Sequence, residues 1–240
     1  MDDAAPGMEV GMTILAIDTA HPAVSACLLI GQAAEPVCRE SEPMLRGHAE
    51  ALLPLIDRVM GDGNVEFKDL TRIAVVVGPG SFTGIRIGIA AARAFGLACG
   101  IPVVGVSSLA AFAAPLIGRS GGQVVAAGVD ARHGQIYVQG YGPQGQNVLA
   151  PRLATARDAV RALGAGPLKL TGSGAPMMAI EAWSMGLEAE VVGETVAPDI
   201  AYVARLGRLA DPAKAQARPY YLKGPDAKPQ SNGHVVRAPA

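Results

Sequence analysis

The stretch from Ile73 to Cys99 constrains this chain most. A short apolar run, Ile73 to Val77, leads into Gly78-Pro79-Gly80-Ser81-Phe82-Thr83-Gly84, and a helical pattern follows as far as Cys99. Ser81 or Thr83 is placed to cap that helix, and Gly100 to end it. Within it Gly84, Gly88, Ala92 and Gly96 recur every four residues and form one smooth ridge. An interior glycine costs about 0.8–1 kcal/mol relative to alanine. A helix carrying several recovers that loss only where another backbone approaches closely, as packing along the i±4 rows permits. The approaching backbone can belong to the chain's own sheet or to a second chain.

The loop is not a standard nucleotide loop. Its Gly-x-Gly-x-x-x-Gly spacing is one residue off the dinucleotide fingerprint, and no acid follows at the distance a ribose-binding carboxylate needs. Ile85 and Arg86 stand where a P-loop requires Lys and Ser or Thr. Two readings stay open: backbone amides that hold an anion at the helix start, or a purely structural turn.

The remaining pattern predicts an α/β chain with mixed sheets flanked by helices. Residues 13–19, 23–30 and 35–41 read as an antiparallel meander, and residues 48–60 as a helix with a one-sided apolar stripe. Pro54 should kink or restart that helix. A strand is expected at 103–106 and a short helix from Ser107. A hairpin is expected at 124–129 and 135–141, turning at Asp130. Further on, the pattern predicts helices at 156–163, 176–185 and 200–210, with strands at 168–171 and 218–222. The reading divides the chain into halves at 12–107 and 108–223, followed by a disordered tail at 224–240, with 142–200 largely irregular. Each half opens with a hairpin that turns at an aspartate, Asp18 or Asp130, which suggests a weak internal duplication.

Composition narrows the function classes. Half the residues are hydrophobic but only 4% are aromatic, so the core must be built from Ala, Val, Leu and Ile. Net charge is −1, which does not indicate a strongly basic nucleic-acid binder overall. The charge is nevertheless polarised: residues 1–70 hold 12 acids and 4 bases, whereas residues 201–240 hold 7 bases and 2 acids. Cys27, Cys38 and Cys99 have no disulfide or zinc spacing, and His21, His48, His133 and His234 have no His or Cys neighbour at ligand spacing. Gly118-Arg119-Ser120-Gly121-Gly122 matches Gly-x-Ser-x-Gly by letters, but it lacks the strand before and the helix after that a nucleophile elbow needs. The first eleven residues do not read as a signal peptide, and the apolar runs are broken by Gly, Arg or Pro, so a cytoplasmic location without a membrane span is expected. Asp18 and Asp130 can be ordinary turn residues or carboxylates of a magnesium–phosphate site.

Five motifs then point to a family. Ile14-Leu15-Ala16-Ile17-Asp18-Thr19, His48-Ala49-Glu50-x-Leu52-Leu53-Pro54, Gly78 through Gly88, Ile101-Pro102 through Leu109, and Asp130-Ala131-Arg132-His133-Gly134-Gln135-Ile136-Tyr137 resemble the TsaB (YeaZ) family. They occur in that family's order over about residues 13–141, with a weaker match at Pro219-Tyr220-Tyr221-Leu222. The resemblance implies an actin-like ATPase (ASKHA) fold of two RNase-H-like halves. It also implies a role in forming threonylcarbamoyladenosine at position 37 of tRNAs that read codons beginning with A. In that pathway the family is non-catalytic: it supports a catalytic paralogue, TsaD, together with the ATPase TsaE. TsaD holds a metal with His-x-x-x-His, and the positions here that line up are Ser108 and Phe112. A hydroxyl and a phenyl ring cannot replace two imidazoles as ligands.

The resemblance places a TsaD or homodimer interface on the helices at 48–60 and 83–99. The residues expected to form it are His48, Leu52, Leu53, Ile56, Gly84, Ile85, Gly88, Ile89 and Ala92. It leaves a vestigial phosphate or nucleotide site at Asp18, Thr19, Gly78, Gly80 and Asp130. No catalytic residue, metal or tightly bound cofactor is expected. Nucleotide is expected only at the complex interface, and tRNA mainly through the complex. The competing classes are an actin-like small-molecule kinase dependent on Asp18 and a glycoprotease-like metallopeptidase.

Overall fold

The computed structural model describes residues 11–193 and 196–223. Its organising element is β1 (Thr13–His21), buried at every residue. β1 pairs antiparallel with β2 (Ala23–Ile30), which pairs antiparallel with β3 (Cys38–Pro43). On its other side β1 pairs parallel with β4 (Arg72–Gly78), and β4 with β5 (Val103–Ser107). The sheet order is β3-β2-β1-β4-β5. A strand covered on both faces must be apolar throughout rather than alternating, and Ile14, Leu15, Ala16 and Ile17 meet that demand. The edge strand β3 alternates between half-buried and exposed residues instead, with Glu40 and Glu42 both paired to Arg58.

The second sheet repeats this plan. β6 (Val124–Arg132) takes the central place, flanked by the antiparallel β7 (Gln135–Tyr141) and β8 (Asn147–Thr155) and by the parallel β9 (Leu168–Thr171) and β10 (Ala189–Val191). Its order, β10-β9-β6-β7-β8, is the first sheet's order with each strand replaced by its counterpart. Two mixed sheets of this topology, flanked by helices, are the RNase-H-like halves of an actin-like ATPase fold. The duplication is visible at the hairpins: Asp18 Oδ1 accepts a hydrogen bond from Ala20 N at 2.7 Å, and Asp130 Oδ1 accepts one from Arg132 N at 2.7 Å.

α1 (His48–Asp62) packs on β2, and α2 (Phe82–Cys99) on β1 and β4. α1 runs unbroken through Pro54, whose ring lies on the exposed face. α2 is long and apolar enough to cross a membrane by length and composition, yet its glycine ridge lies against its own sheet. α3 (Ser108–Ala113) packs on β6, while α4 (Ala156–Leu163) and α5 (Ala175–Ser184) cover the second sheet.

Three expectations are corrected. The stretch 142–200 is not irregular: it contains β8 and β10 as well as the expected helices. Residues 218–222 are not a strand. The chain instead makes a single bridge from Gln216 to Val104, and Tyr220 N donates to Val77 O at 2.8 Å. The division at 107/108 fails at the far end, because α6 (Ile200–Leu209) packs over β1, β2 and β4 and adds Ile200, Val203 and Ala204 to the first core. Arg72 locks that return in place: its Nη1 donates to the carbonyls of Gly207, Arg208 and Ala210 at 2.8, 3.1 and 2.9 Å, closing the C-terminal end of α6. The tail expected at 224–240 lies outside the described residues.

Candidate functional site

The glycine loop and the β1–β2 turn are built against each other. Ser81 caps α2 by accepting from Gly84 N at 3.2 Å, and its own amide donates to Ala20 O at 2.8 Å. Thr19 Oγ1 donates to Gly84 O at 2.7 Å. A Cβ added at Gly80 would lie 2.5 Å from Ala20 O, and one at Gly88 would lie 2.6 Å from Thr19 Oγ1. At Gly84 it would overlap Thr19 O outright. Further along the ridge a Cβ at Gly96 would overlap Val103 Cγ2. Between the two readings of this ridge, the structure therefore places the chain's own backbone against it.

This corrects most of the expected interface. Leu52, Ile56, Gly84, Ile85, Gly88, Ile89 and Ala92 are buried inside the first half, so their side chains have no surface for a partner. The amphipathic stripe was read correctly as a stripe but assigned to the wrong side. His48 is half-buried, its Nε2 2.9 Å from His21 O. Of the expected residues Leu53 is the one that points outward, 56% exposed. The outward face of α2 carries Phe82, Thr83, Arg86, Ala90, Arg93, Ala94, Leu97 and Ala98, with Leu97 86% exposed and Ile87 and Ala91 half-buried beside them. Sequence reasoning missed these residues. The signal that could have found them is the same period of four, read one face over.

The expected phosphate site is brought together only in part. Asp18, Thr19, Gly78 and Gly80 meet around the β1–β2 turn, where Asp18 Oδ1 and Thr19 Oγ1 are engaged within the chain. Asp130 belongs to the second half, exposed at its own turn, where its N donates to Ser173 Oγ at 3.0 Å. Gly78 adopts a φ of 108°, and its missing side chain makes room for Ile85 and for Tyr220 O.

Asp18 is only 1% exposed, and its Oδ2 has no hydrogen-bond partner. Burial pushes its carboxyl above the usual carboxylate range. The nearby His21, the Ala20 amide and His48 oppose that rise without cancelling it. The same burial pushes His21 below its ordinary value, against the pull of Asp18. Burial thus disfavours the charged form of both groups. His21 packs edge-on against Phe112, with ring centroids 5.2 Å apart. Ser108 lies one turn earlier on α3, fully buried with its Oγ unpaired. A metal held in the TsaD manner does not fit these residues, because neither position offers an imidazole. Among the described residues there is no group of three or more His, Cys, Asp or Glu arranged to hold a metal ion.

The comparisons agree with this geometry. The family model for TsaD, tRNA N6-adenosine threonylcarbamoyltransferase, matches residues 42–215. An uncharacterised protein of Mycobacterium tuberculosis (strain H37Rv) is 36% identical over 217 residues, covering 90% of this chain and 94% of that protein. The tRNA threonylcarbamoyladenosine biosynthesis protein TsaB of Escherichia coli is 36% identical over 126 residues, which is 52% of this chain and 53% of TsaB. YeaZ from Pseudomonas aeruginosa superposes with a TM-score of 0.70 at 27% identity, covering 88% of this chain and all of that one. With the doubled sheet and the Gly78–Gly88 loop in place, these matches assign the chain to the TsaD family and, within it, to its TsaB (YeaZ) branch.

Proposed function

We propose that this chain is a non-catalytic subunit of the machinery that makes threonylcarbamoyladenosine in tRNA. In this reading it grips a TsaD-type catalytic chain and works in the cytoplasm alongside a TsaE-type ATPase. The observation that carries the reading is the pair Ser108 and Phe112. A buried hydroxyl and a buried phenyl ring occupy the places where the catalytic paralogue holds two imidazoles, and Phe112 is packed as core against His21. The burial of Asp18, only 1% exposed, argues in the same direction against an independent kinase.

The surface offered to the partner is the outward face of α1 and α2, with Leu53, Leu97 and Ile87 as apolar anchors and Ala90 and Ala94 as the small residues between them. Such an arrangement supports helix-on-helix docking, with small side chains letting the partner's helix come near. The same face serves a second copy of this chain when the catalytic partner is absent.

Reconstitution tests the proposal. A TsaD-type enzyme and a TsaE-type ATPase are assayed for tRNA modification with and without this chain. Modification should require it, and the chain without the TsaD-type enzyme should give none. Modification by this chain alone would overturn the reading.

A further inference from the structure

The C-terminal stretch 215–222 is pinned to the first half along its length. Gly105 N donates to Ala215 O at 2.8 Å, Arg93 Nη2 to Ala217 O at 2.6 Å, and Tyr220 N to Val77 O at 2.8 Å. This holds Tyr221 over the start of α2. There its ring stacks on Phe82 with centroids 5.2 Å apart and planes 27° from parallel. The Arg86 guanidinium lies 3.7 Å from the Phe82 ring centre, and its Nε donates to the Tyr221 hydroxyl at 3.1 Å. Phe82 and Tyr221 are each 44% exposed, in a chain that is only 4% aromatic.

The sequence that builds this cluster carries charge of one sign. From Leu70 to Val129 there is no acidic residue; Arg86 lies on the aromatic pair, Arg93 holds Ala217 O, and the exposed Arg218 comes three residues before Tyr221. The acidic side chains of the first half are concentrated on β3 and α1, among them Glu40, Glu42, Glu50, Asp57 and Asp62. Apolar partner helices fit the Leu53–Leu97 face, whereas this cluster couples each exposed ring to a cation. Rigid exposed aromatics set among arginines are the means by which proteins hold unpaired bases while tracking phosphates.

We propose that Phe82, Arg86, Tyr221 and Arg218 form a direct RNA contact, with the outer face of Tyr221 stacking on an unpaired base of the tRNA and Arg218 meeting backbone phosphate. This rests on the proposed function, and it adds that the non-catalytic subunit itself touches the substrate.

The test uses the complete pair, this chain with its TsaD-type enzyme. The probe is a fluorescent, unmodified transcript of a tRNA that reads a codon beginning with A. Tyr221→Ala should weaken tRNA binding about fivefold or more, the low end of what one lost base–aromatic stack costs, and Tyr221→Phe should restore most of it. Arg218→Gln should weaken binding and lower the slope of log affinity against log salt by about one. Both variants should pair with the enzyme as tightly as wild type, which also reports that they fold. If tRNA affinity and salt slope are unchanged in a pair that forms and modifies tRNA, the RNA contact is refuted and the proposed function stands. If Tyr221→Ala loosens the protein pair instead, the cluster is a protein interface and the inference is equally overturned. A wild-type chain that never joins the enzyme would sink the proposed function itself.

Discussion

Gly84→Ala separates a ridge that packs inward from one that packs on a partner. On an outward ridge this change should stabilise the free chain, since alanine improves on glycine by about 0.8–1 kcal/mol inside a helix. The structure predicts the reverse. The new Cβ would overlap Thr19 O and lie 3.0 Å from Thr19 C, and both atoms belong to the backbone of the buried strand β1. No rotamer relieves that overlap, so α2 or the β1–β2 turn must move. Overpacking of this kind costs about 1–3 kcal/mol. The shift also disturbs two hydrogen bonds, Thr19 Oγ1 to Gly84 O and Ser81 N to Ala20 O, each worth about 0.5–1.5 kcal/mol. Set against the helix gain, the net loss is about 1–5 kcal/mol. For a chain of this size each kcal/mol lowers Tm by about 2–4 °C. Urea unfolding of the isolated chain measures it, with a lower midpoint at unchanged slope as the expected result. A Gly84→Ala chain as stable as wild type but unable to pair with its enzyme would refute the inward-facing ridge.

The same logic gives four further outcomes. Leu97→Asp should leave the urea midpoint within about 0.5 kcal/mol of wild type, as exposed substitutions do, yet abolish co-purification with a TsaD-type partner; retained pairing would remove α2's outer face from the interface. Arg72→Met should cost about 2–4 kcal/mol, because three α6 carbonyls lose a charged donor at once, and hydrogen exchange should rise first in α6. For Asp18 the folded pKa is raised, so the stability it contributes is present below about 3.8 and declines as pH rises through the folded value. Asp18→Asn should therefore be more stable than wild type at pH 7 and lose that advantage on acidification; the opposite trend would mean the carboxylate is ionised in the fold. His21 runs the other way: its folded pKa lies below 6.5, so wild type should lose stability as pH falls from 6.5, and His21→Leu should flatten that part of the urea profile.

How much of this was legible depended on whether local pattern or distant packing decided the matter. The helices at 48–62 and 82–99 and the hairpin strands announced themselves, because period and punctuation are local properties. β8 did not: Pro151 and Arg152 interrupt its apolar pattern, as suits a strand at the sheet edge with much of its length exposed. α6 was recognisable as a helix, but nothing in its residues tells which sheet it returns to. That return is set by Arg72 and by the room that Gly207 leaves for Ala74, two contacts more than 130 residues apart in the chain. For the interface, hydrophobic period identified an apolar face on each helix. It could not distinguish a face that needs its own sheet from one that needs another protein, since both demand Leu, Ile and Gly.

The two halves build the turn on the same bond and cover it differently. The turns at Asp18 and Asp130 share one backbone device, an aspartate Oδ1 that accepts from the amide two residues on. The turns differ beyond that bond: Arg132, His133 and Gly134 have positive φ after Asp130, and none of Thr19, Ala20 and His21 does after Asp18. The halves diverge in what is laid over the turn. Over Asp18 lie the glycine loop and α2, tied down by Thr19 and Ser81. Asp130 is left open beside Ser173. Covering the first turn removes its carboxylate from water and from any phosphate, and it anchors the start of the helix whose other face is offered outward. The packing that buries Asp18 is therefore the same packing that holds the start of α2, and with it the outer face proposed for docking. Loosening it at Thr19, by Thr19→Val, should therefore weaken pairing with the enzyme as well as the fold, although Thr19 is buried within the chain. Pairing affinity measured where the variant is still fully folded decides the point: an unchanged value would show that covering the first turn and presenting the outer face of α2 are independent.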